Sequence, residues 1–129
     1  MMNYGISKTI SLPFESAVEK VTEELKKEGF GVLTTIDVKA TMKQKLGVEF
    51  TKYVILGACN PPFAHQALLV EEQVGLLLPC NVIVYEKAGK TVISAFDPLV
   101  MTKILENDGM NQIAEEVRTR LARVIEAVH

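Results

Sequence analysis

The chain has 129 residues, of which 48% are hydrophobic, with 14 basic and 16 acidic side chains and a net charge of −2. This length suits a single domain over residues 1–129, and the charge disfavours nucleic acid and anionic membrane surfaces, which attract a basic excess. Residues 1–12 lack the basic and apolar parts of a signal peptide, and apolar runs such as 75–80 are far too short to span a bilayer. We therefore expect a soluble, cytoplasmic protein whose two cysteines are free thiols, with no nucleic-acid or membrane partner.

The first third of the chain predicts a strand, a long helix, a second strand and a short helix. Residues 4–11 alternate as a strand, and a helix then begins at Pro13, whose fixed φ suits a first helical position. The helix ends near Gly29, which can adopt the left-handed conformation. Residues 30–38 alternate again, with these side chains on one face: Phe30, Val32, Thr34, Ile36 and Val38. A short helix follows over residues 40–46.

The rest of the chain predicts three further strands and three helices. The strands are recognised by branched and aromatic residues, and the helices by Pro or Asp-Pro starts and by apolar spacing of three and four. Pro79 lies inside the second of these strands, which implies an edge or a bulge because proline has no N–H to donate. The predicted elements are a strand at 50–58, a short helix from Pro62, a strand at 76–86, a hairpin turn at 87–90, a strand at 91–96, a short helix from 98 to 105 and a long helix at 111–127.

This order predicts an α+β fold of the type strand-helix-four strands-helix, with both long helices on one face of an antiparallel sheet and short helical inserts. The strand at 76–86 is apolar on both of its faces. The face away from the helices then needs a cover, and a second copy of the chain is a reasonable one. We therefore expect a homodimer.

Two blocks of sequence carry a family resemblance. The segments KLGVEFTKYVILGACNPPFAHQAL and GLLLPCNVIVYEKAGKTVISAFDPLVM, preceded by EGFGVLTTIDVKATMKQKLG, resemble the domain-of-unknown-function 302 family over roughly residues 4–128. The resemblance implies a TATA-binding-protein-like sheet and a homodimer. It implies no established reaction. Some members of the family that this chain resembles are found in sulfur-metabolism settings.

Candidate functional residues concentrate in residues 53–86, where two Cys-Asn pairs stand at breaks in apolar runs. Cys59 precedes a helix start, a position that stabilises a thiolate, and Cys80 follows Pro79 in a strand. For each cysteine, burial as a small hydrophobic side chain is the simpler interpretation.

Four polar residues complete the candidate ligand-binding set. We expect Asn60 to cap the following turn, and Asp97 to stop a strand and cap a short helix. Asn81 interrupts an apolar strand, so its amide is expected either to pair with backbone near Pro79 or to face a ligand. His65 could join Cys59 and Cys80 as a ligand of a soft metal, but the ligand spacings of known metal sites are absent, and we predict neither metal nor cofactor.

Three functions fit these residues. The preferred one is a small homodimeric binding or accessory protein for a small polar or sulfur-containing ligand. The alternatives are a thiol-based enzyme or sulfur carrier that uses Cys80 or Cys59, and a purely structural interaction module. Whether the chain is an enzyme stays open, because no catalytic motif such as a nucleophile elbow or a phosphate loop is present.

Overall fold

A computed structural model describes residues 3–129, which form five strands and five α-helices with one 3₁₀ helix. In chain order the elements are β1 (Gly5–Ile10), α1 (Phe14–Lys27), β2 (Gly31–Asp37), α2 (Val38–Leu46), β3 (Tyr53–Cys59), α3 (Pro61–Val70), the 3₁₀ helix (Glu72–Leu77), β4 (Cys80–Lys87), β5 (Lys90–Phe96), α4 (Leu99–Ile104) and α5 (Asp108–Ala127). No helix among these residues is long and apolar enough to cross a membrane.

The five strands form one antiparallel sheet in the order β1-β5-β4-β3-β2. The β4–β5 connection is a two-residue hairpin in which Ala88 and Gly89 both have positive φ, at 51° and 77°. Two positive φ values are the signature of a turn whose twist matches that of the flanking strands. The predicted hairpin at residues 87–90 is therefore confirmed.

The main hydrophobic core lies between one face of the sheet and the two long helices, α1 and α5. Val21 and Leu25 of α1 and Leu121 of α5 are completely buried against Val82 and Val84 of β4. Side chains alternate along a strand, so these contacts use only every second residue of the sheet. The predicted α+β architecture, with both long helices on the same face, is confirmed.

The opposite side of the sheet, which we call the open face, carries the other half of the strand residues. Ile55 of β3 lies opposite Ile83 of β4, and Tyr53 lies opposite Tyr85, with the two rings stacked 5.1 Å apart. These side chains are only partly buried, and Ile36 of β2 is 48% exposed. The open face thus presents apolar side chains among a few polar ones, and it has no helix layer from α1 or α5.

The prediction that alternate residues from Phe30 to Val38 share one face of β2 is wrong. The pairing of β2 with β3 shifts between Val32 and Thr34, so Val32 lies opposite Ala58 on the helix side while Thr34 lies opposite Gly57 on the open face. An extra residue, Leu33, makes a bulge, and a bulge reverses the side-chain alternation beyond it. Phe30, Val32, Thr34, Ile36 and Val38 therefore do not share one face.

The predicted strand at residues 76–86 is wrong in its first part. Residues up to Leu77 belong to the 3₁₀ helix, and β4 begins only at Cys80, which pairs with Ala58. Strand β3 ends at Cys59, the residue after Ala58, and Pro79, the residue before Cys80, has no N–H to donate. The hydrogen-bond ladder between β3 and β4 therefore cannot continue beyond the pair of Ala58 and Cys80. The apolar run before Pro79 instead turns away from the sheet.

That run helps to build a second, smaller core beyond the end of the sheet. Ala67 of α3, Val74 of the 3₁₀ helix, Met101 of α4 and Met110 of α5 form it. Helix α5 begins at Asp108 rather than at residue 111, because the Asn107 side chain accepts a hydrogen bond from Gly109 N at 3.0 Å and caps the helix. The added turn brings Met110 into the second core.

Candidate functional site

A cavity of about 350 Å³ lies where the main core meets the second core. Its floor is formed by the ends of β3 and β4, and its walls by α3, α5 and the segment that leads into β4. The lining is almost wholly apolar, and no charged residue from the described part of the chain belongs to it. Among the lining side chains are Phe30, Phe63, Leu78, Met101, Ile113 and Val117.

Three of the six predicted site residues line this cavity, namely Cys59, Asn60 and Cys80. The strand pairing explains why they meet, since Cys80 begins β4 opposite Ala58, the residue before Cys59. Asn60 then stands between the end of β3 and the first turn of α3. The two Cys-Asn blocks, 21 positions apart in the sequence, therefore meet at one end of the sheet.

Cys80 is only 6% exposed and packs in the main core with Val82 and Val84. Burial raises the pKa of its thiol from 9.0 to about 11, with the neighbouring Cys59 as a smaller cause. Burial has this effect because the thiolate loses its hydration while the neutral thiol loses little. Cys80 is therefore a protonated core side chain at neutral pH, as its simpler interpretation predicted.

Cys59 differs from Cys80 in its access to solvent. It ends β3, is partly buried rather than fully buried, and contributes to the cavity wall. Free cysteines are found at both positions. Both cysteines line the cavity, and Cys59 is the more exposed of the two thiols.

Asn60 does not cap α3 with its side chain, so that prediction is wrong. It occupies the N-cap position, but its Nδ2 donates a hydrogen bond of 3.2 Å to the carbonyl oxygen of Glu28, just beyond α1. Arg120 Nη1 donates to the same carbonyl at 3.1 Å. A carbonyl can only accept, so this contact fixes the orientation of the Asn60 amide. It also connects the start of α3 to the end of α1.

Helix α1 ends beside this amide contact. Gly29 has a φ of 88°, and the N–H groups of Gly29 and Phe30 donate to carbonyls of Lys26 and Leu25. This is the left-handed helix stop predicted for Gly29. A Cβ at this glycine would lie 3.0 Å from Asn60 Nδ2, so the stop and the cavity wall fit closely together.

The other three predicted site residues lie outside the cavity lining. Asn81 is exposed on the open face opposite Gly57, where water can solvate its amide, so the expectation of a buried amide is wrong. His65 is exposed on α3. Asp97 stops β5, as predicted, but Pro98 rather than Asp97 occupies the N-cap position of α4. Asp97 accepts a hydrogen bond from Leu99 N at 3.0 Å, and its carboxylate lies 3.2 Å from Arg118 Nε.

The suggested convergence of Cys59, His65 and Cys80 therefore does not occur, since His65 is not part of the wall that the cysteines share. Within residues 3–129 no group of three or more His, Cys, Asp or Glu side chains stands close enough to hold a metal ion. His65 follows Cys59 by six positions, but nearness in sequence does not bring side chains together. The helical phase of α3, which sets the direction of each side chain, separated them.

Sequence reasoning also missed much of the cavity wall. Met101, Ile113 and Ala114 come from α4 and α5, far from residues 53–86 in the sequence. Their apolar spacing predicts burial but cannot tell a packed core from a cavity wall. Phe63 carries one further feature, because the Arg120 guanidinium lies over its ring at 5.1 Å.

The family model described as a domain of unknown function, DUF302, matches residues 6–128. The chain belongs to the DUF302 family. It is similar to an uncharacterized conserved DUF302 protein from Bacillus stearothermophilus whose crystal structure is known, with 31% sequence identity. The similarity covers 99% of this chain and 100% of the other, with a TM-score of 0.92. No curated protein matches the chain.

Membership in DUF302 agrees with the α+β architecture and brings no reaction with it. Function must therefore be argued from the site itself. The relevant features of this DUF302 chain are an apolar cavity at the strand ends, one accessible thiol and one oriented amide.

Proposed function

We propose that this protein is a homodimeric binding protein that holds a small molecule in the cavity at the ends of β3 and β4. The observation that carries the proposal is the cavity itself, at about 350 Å³. Small-molecule sites are concave, mainly apolar, and contain a few placed polar groups, and their volumes begin at around 300 Å³. A cytoplasmic location, in which Cys59 and Cys80 stay reduced, is part of the proposal.

The chemistry of the wall narrows the sequence-based expectation of a small polar or sulfur-containing ligand. Asn81 and His65, which suggested a polar ligand, lie elsewhere, and only Asn60 and the two thiols remain at the cavity. The proposed ligand is therefore one that makes most of its contacts with carbon and sulfur atoms.

A fragment screen that compares the wild-type protein with a variant whose cavity is filled tests the proposal. We expect members of a fragment library to raise the melting temperature of the wild-type protein but not of Ala64→Leu, which places extra carbon in the cavity wall at a half-buried position. Ala40→Leu makes the same chemical change at an exposed position on α2 and is the matched control. Fragments that stabilise all three proteins equally, or none, would contradict a ligand site in this cavity.

The second copy in the proposed dimer covers the open face. A row of side chains crosses this face from Ile36 through Ile55 and Ile83 to Ser94. Contiguous exposed apolar surface is uncommon on a monomer and is typical of an interface, and a surface that meets its own copy about a two-fold axis needs no second partner.

Oligomeric state tests this part separately. We expect sedimentation to show a dimer at micromolar concentration and Ile83→Lys to shift it to monomer, because the new charge would be buried without a partner. Leu69→Lys, at a residue that is 74% exposed on α3 and away from the sheet, should remain dimeric. A monomeric wild-type protein, or a dimer unaffected by Ile83→Lys, would overturn the assignment of the interface.

Thiol chemistry is favoured by one observation only, the partial exposure of Cys59 at the cavity. The burial of Cys80 and its raised pKa make it a poor nucleophile, because the thiolate is the reactive form. A thiol enzyme or sulfur carrier would therefore use Cys59. If fragments bind in the cavity of Cys59→Ser as they do in the wild-type protein, binding does not require this thiol.

A further inference from the structure

We infer that the cavity selects an uncharged, mainly apolar ligand about the size of two fused aromatic rings, which donates one hydrogen bond to Asn60 Oδ1. The inference rests on the proposed function and specifies the ligand class for the same site. It is carried by three features of the wall, namely its volume, its lack of charge and the orientation of one amide.

The volume sets the size of the ligand. An apolar cavity of about 150 Å³ in another protein holds benzene. The cavity here, at about 350 Å³, is somewhat more than twice as large. A bicyclic aromatic compound, or an alkyl chain of similar bulk, fits this space.

The composition of the wall excludes a buried charge on the ligand. The lining residues are apolar apart from the thiols and Asn60, and none of those described is charged. Placing an ionised group against such a wall removes its hydration without giving it a partner. The Arg120 guanidinium lies over the ring of Phe63, and its Nε and Nη1 atoms already donate to Glu116 at 3.0 Å and to Glu28 O at 3.1 Å.

The orientation of the Asn60 amide determines that the ligand donates the one hydrogen bond and that Oδ1 accepts it. Nδ2 donates to the Glu28 carbonyl, which cannot accept from Oδ1, so the amide has one allowed orientation. Within the described residues Oδ1 takes no N–H from the first turn of α3 and is not sealed off as an unpaired buried atom. Oδ1 therefore has no hydrogen-bond partner among these residues, in a side chain that belongs to the cavity lining, and a ligand hydroxyl or N–H would supply one.

Three naphthalene probes of nearly equal bulk separate these features. 2-Naphthol has one donor, 2-methoxynaphthalene has none, and 2-naphthoate is an anion. Their fluorescence can be followed without interference because the chain contains no tryptophan. We expect 2-naphthol to bind about fivefold more tightly than 2-methoxynaphthalene, as one net hydrogen bond allows, and at least about tenfold more tightly than 2-naphthoate.

Asn60→Ala should abolish the preference for naphthol over methoxynaphthalene while both continue to bind. Ala64→Leu should weaken all three probes, and Ala40→Leu should change none. Circular dichroism and a melting curve establish that each variant is folded, and Asn60→Leu serves in place of Asn60→Ala if that variant does not fold.

The outcomes separate this inference from the proposed function. If apolar probes bind and respond to Ala64→Leu, but 2-naphthoate binds as well as 2-naphthol or the naphthol preference survives in Asn60→Ala, the ligand class is wrong and the cavity remains a binding site. If no probe and no library fragment responds to Ala64→Leu, the proposed function itself fails.

Discussion

The burial of Cys80 predicts a specific loss of stability at alkaline pH. In the folded protein the pKa of this thiol is about 11, against 9.0 for an ordinary cysteine. Below pH 9 the thiol is protonated in both the folded and the unfolded chain, and its contribution to stability is fully present. As the pH rises from 9 towards 11, the thiol ionises first in the unfolded chain. This ionisation stabilises the unfolded state, so the free energy of unfolding falls.

The pKa difference sets the size of the effect. A difference of about 2 between folded and unfolded pKa values corresponds to roughly 3 kcal/mol once both forms have ionised. By pH 10.5 the folded thiol is still mainly protonated, and about 2 kcal/mol of this should already be lost. That is a large part of the 5–15 kcal/mol that is typical of a domain.

Urea denaturation between pH 8 and pH 10.5 measures the loss. The comparison is between Cys59→Ser and Cys59→Ser/Cys80→Ala, so that Cys80 is the only thiol that differs and tyrosine ionisation is common to both. We expect the gap in unfolding free energy between the two proteins to narrow by about 2 kcal/mol across this range. Alkylation of native Cys59→Ser by iodoacetamide at pH 8 should also be about a hundredfold slower than that of the unfolded chain.

Either of two results would refute this reasoning. One is a stability gap that does not change with pH. The other is a native Cys80 that reacts with iodoacetamide as fast as a free thiol. Both would mean that Cys80 is hydrated in solution, and Cys80 would then return as a candidate nucleophile.

Three further predictions concern packing and backbone conformation, and urea denaturation measures each of them. Gly57→Ala should destabilise the protein by about 1–3 kcal/mol, because its Cβ would clash with Thr34 Oγ1 and stand 3.0 Å from Pro79 Cγ. Adding Thr34→Ala should restore part of the lost stability. Equal losses in the single and double variants would contradict the clash. Leu121→Ala, at a fully buried site, should cost about 2–5 kcal/mol, whereas Leu76→Ala, at 82% exposure, should stay within about 0.5 kcal/mol. Gly29→Ala should cost about 1–2 kcal/mol because of its φ of 88°, and an unchanged stability would show that the left-handed stop is not required.

The architecture was predictable because local patterns and global packing agree over most of the chain. The apolar spacing of α1 and α5 and the alternation of β1 and β5 each indicate which side chains meet the core. The positive-φ stop at Gly29 follows from the freedom of glycine, and the hairpin at residues 87–90 from its Ala-Gly turn. Each of these signals depends only on residues within a few positions of one another.

The errors arise where a distant segment overrides the local pattern. The bulge at Leu33 depends on the pairing of β2 with β3, and the end of β4 at Cys80 depends on where β3 ends. The exposure of Asn81 depends on the open face having no helix of the main core above it. None of these partners is visible within a sequence window of the size that carries strand and helix patterns.

In the candidate site, the order of residues along the chain is enough to place Cys59, Asn60 and Cys80 at the ends of apolar segments, where strands give way to other elements. The packing of the elements brings these three residues to one cavity and leaves His65, Asn81 and Asp97 outside its lining. The reason is physical: a wall is made from side chains of several elements, and its shape depends on their relative positions. The direction of the Asn60 amide, set by the carbonyl of Glu28 from another part of the chain, is the clearest case.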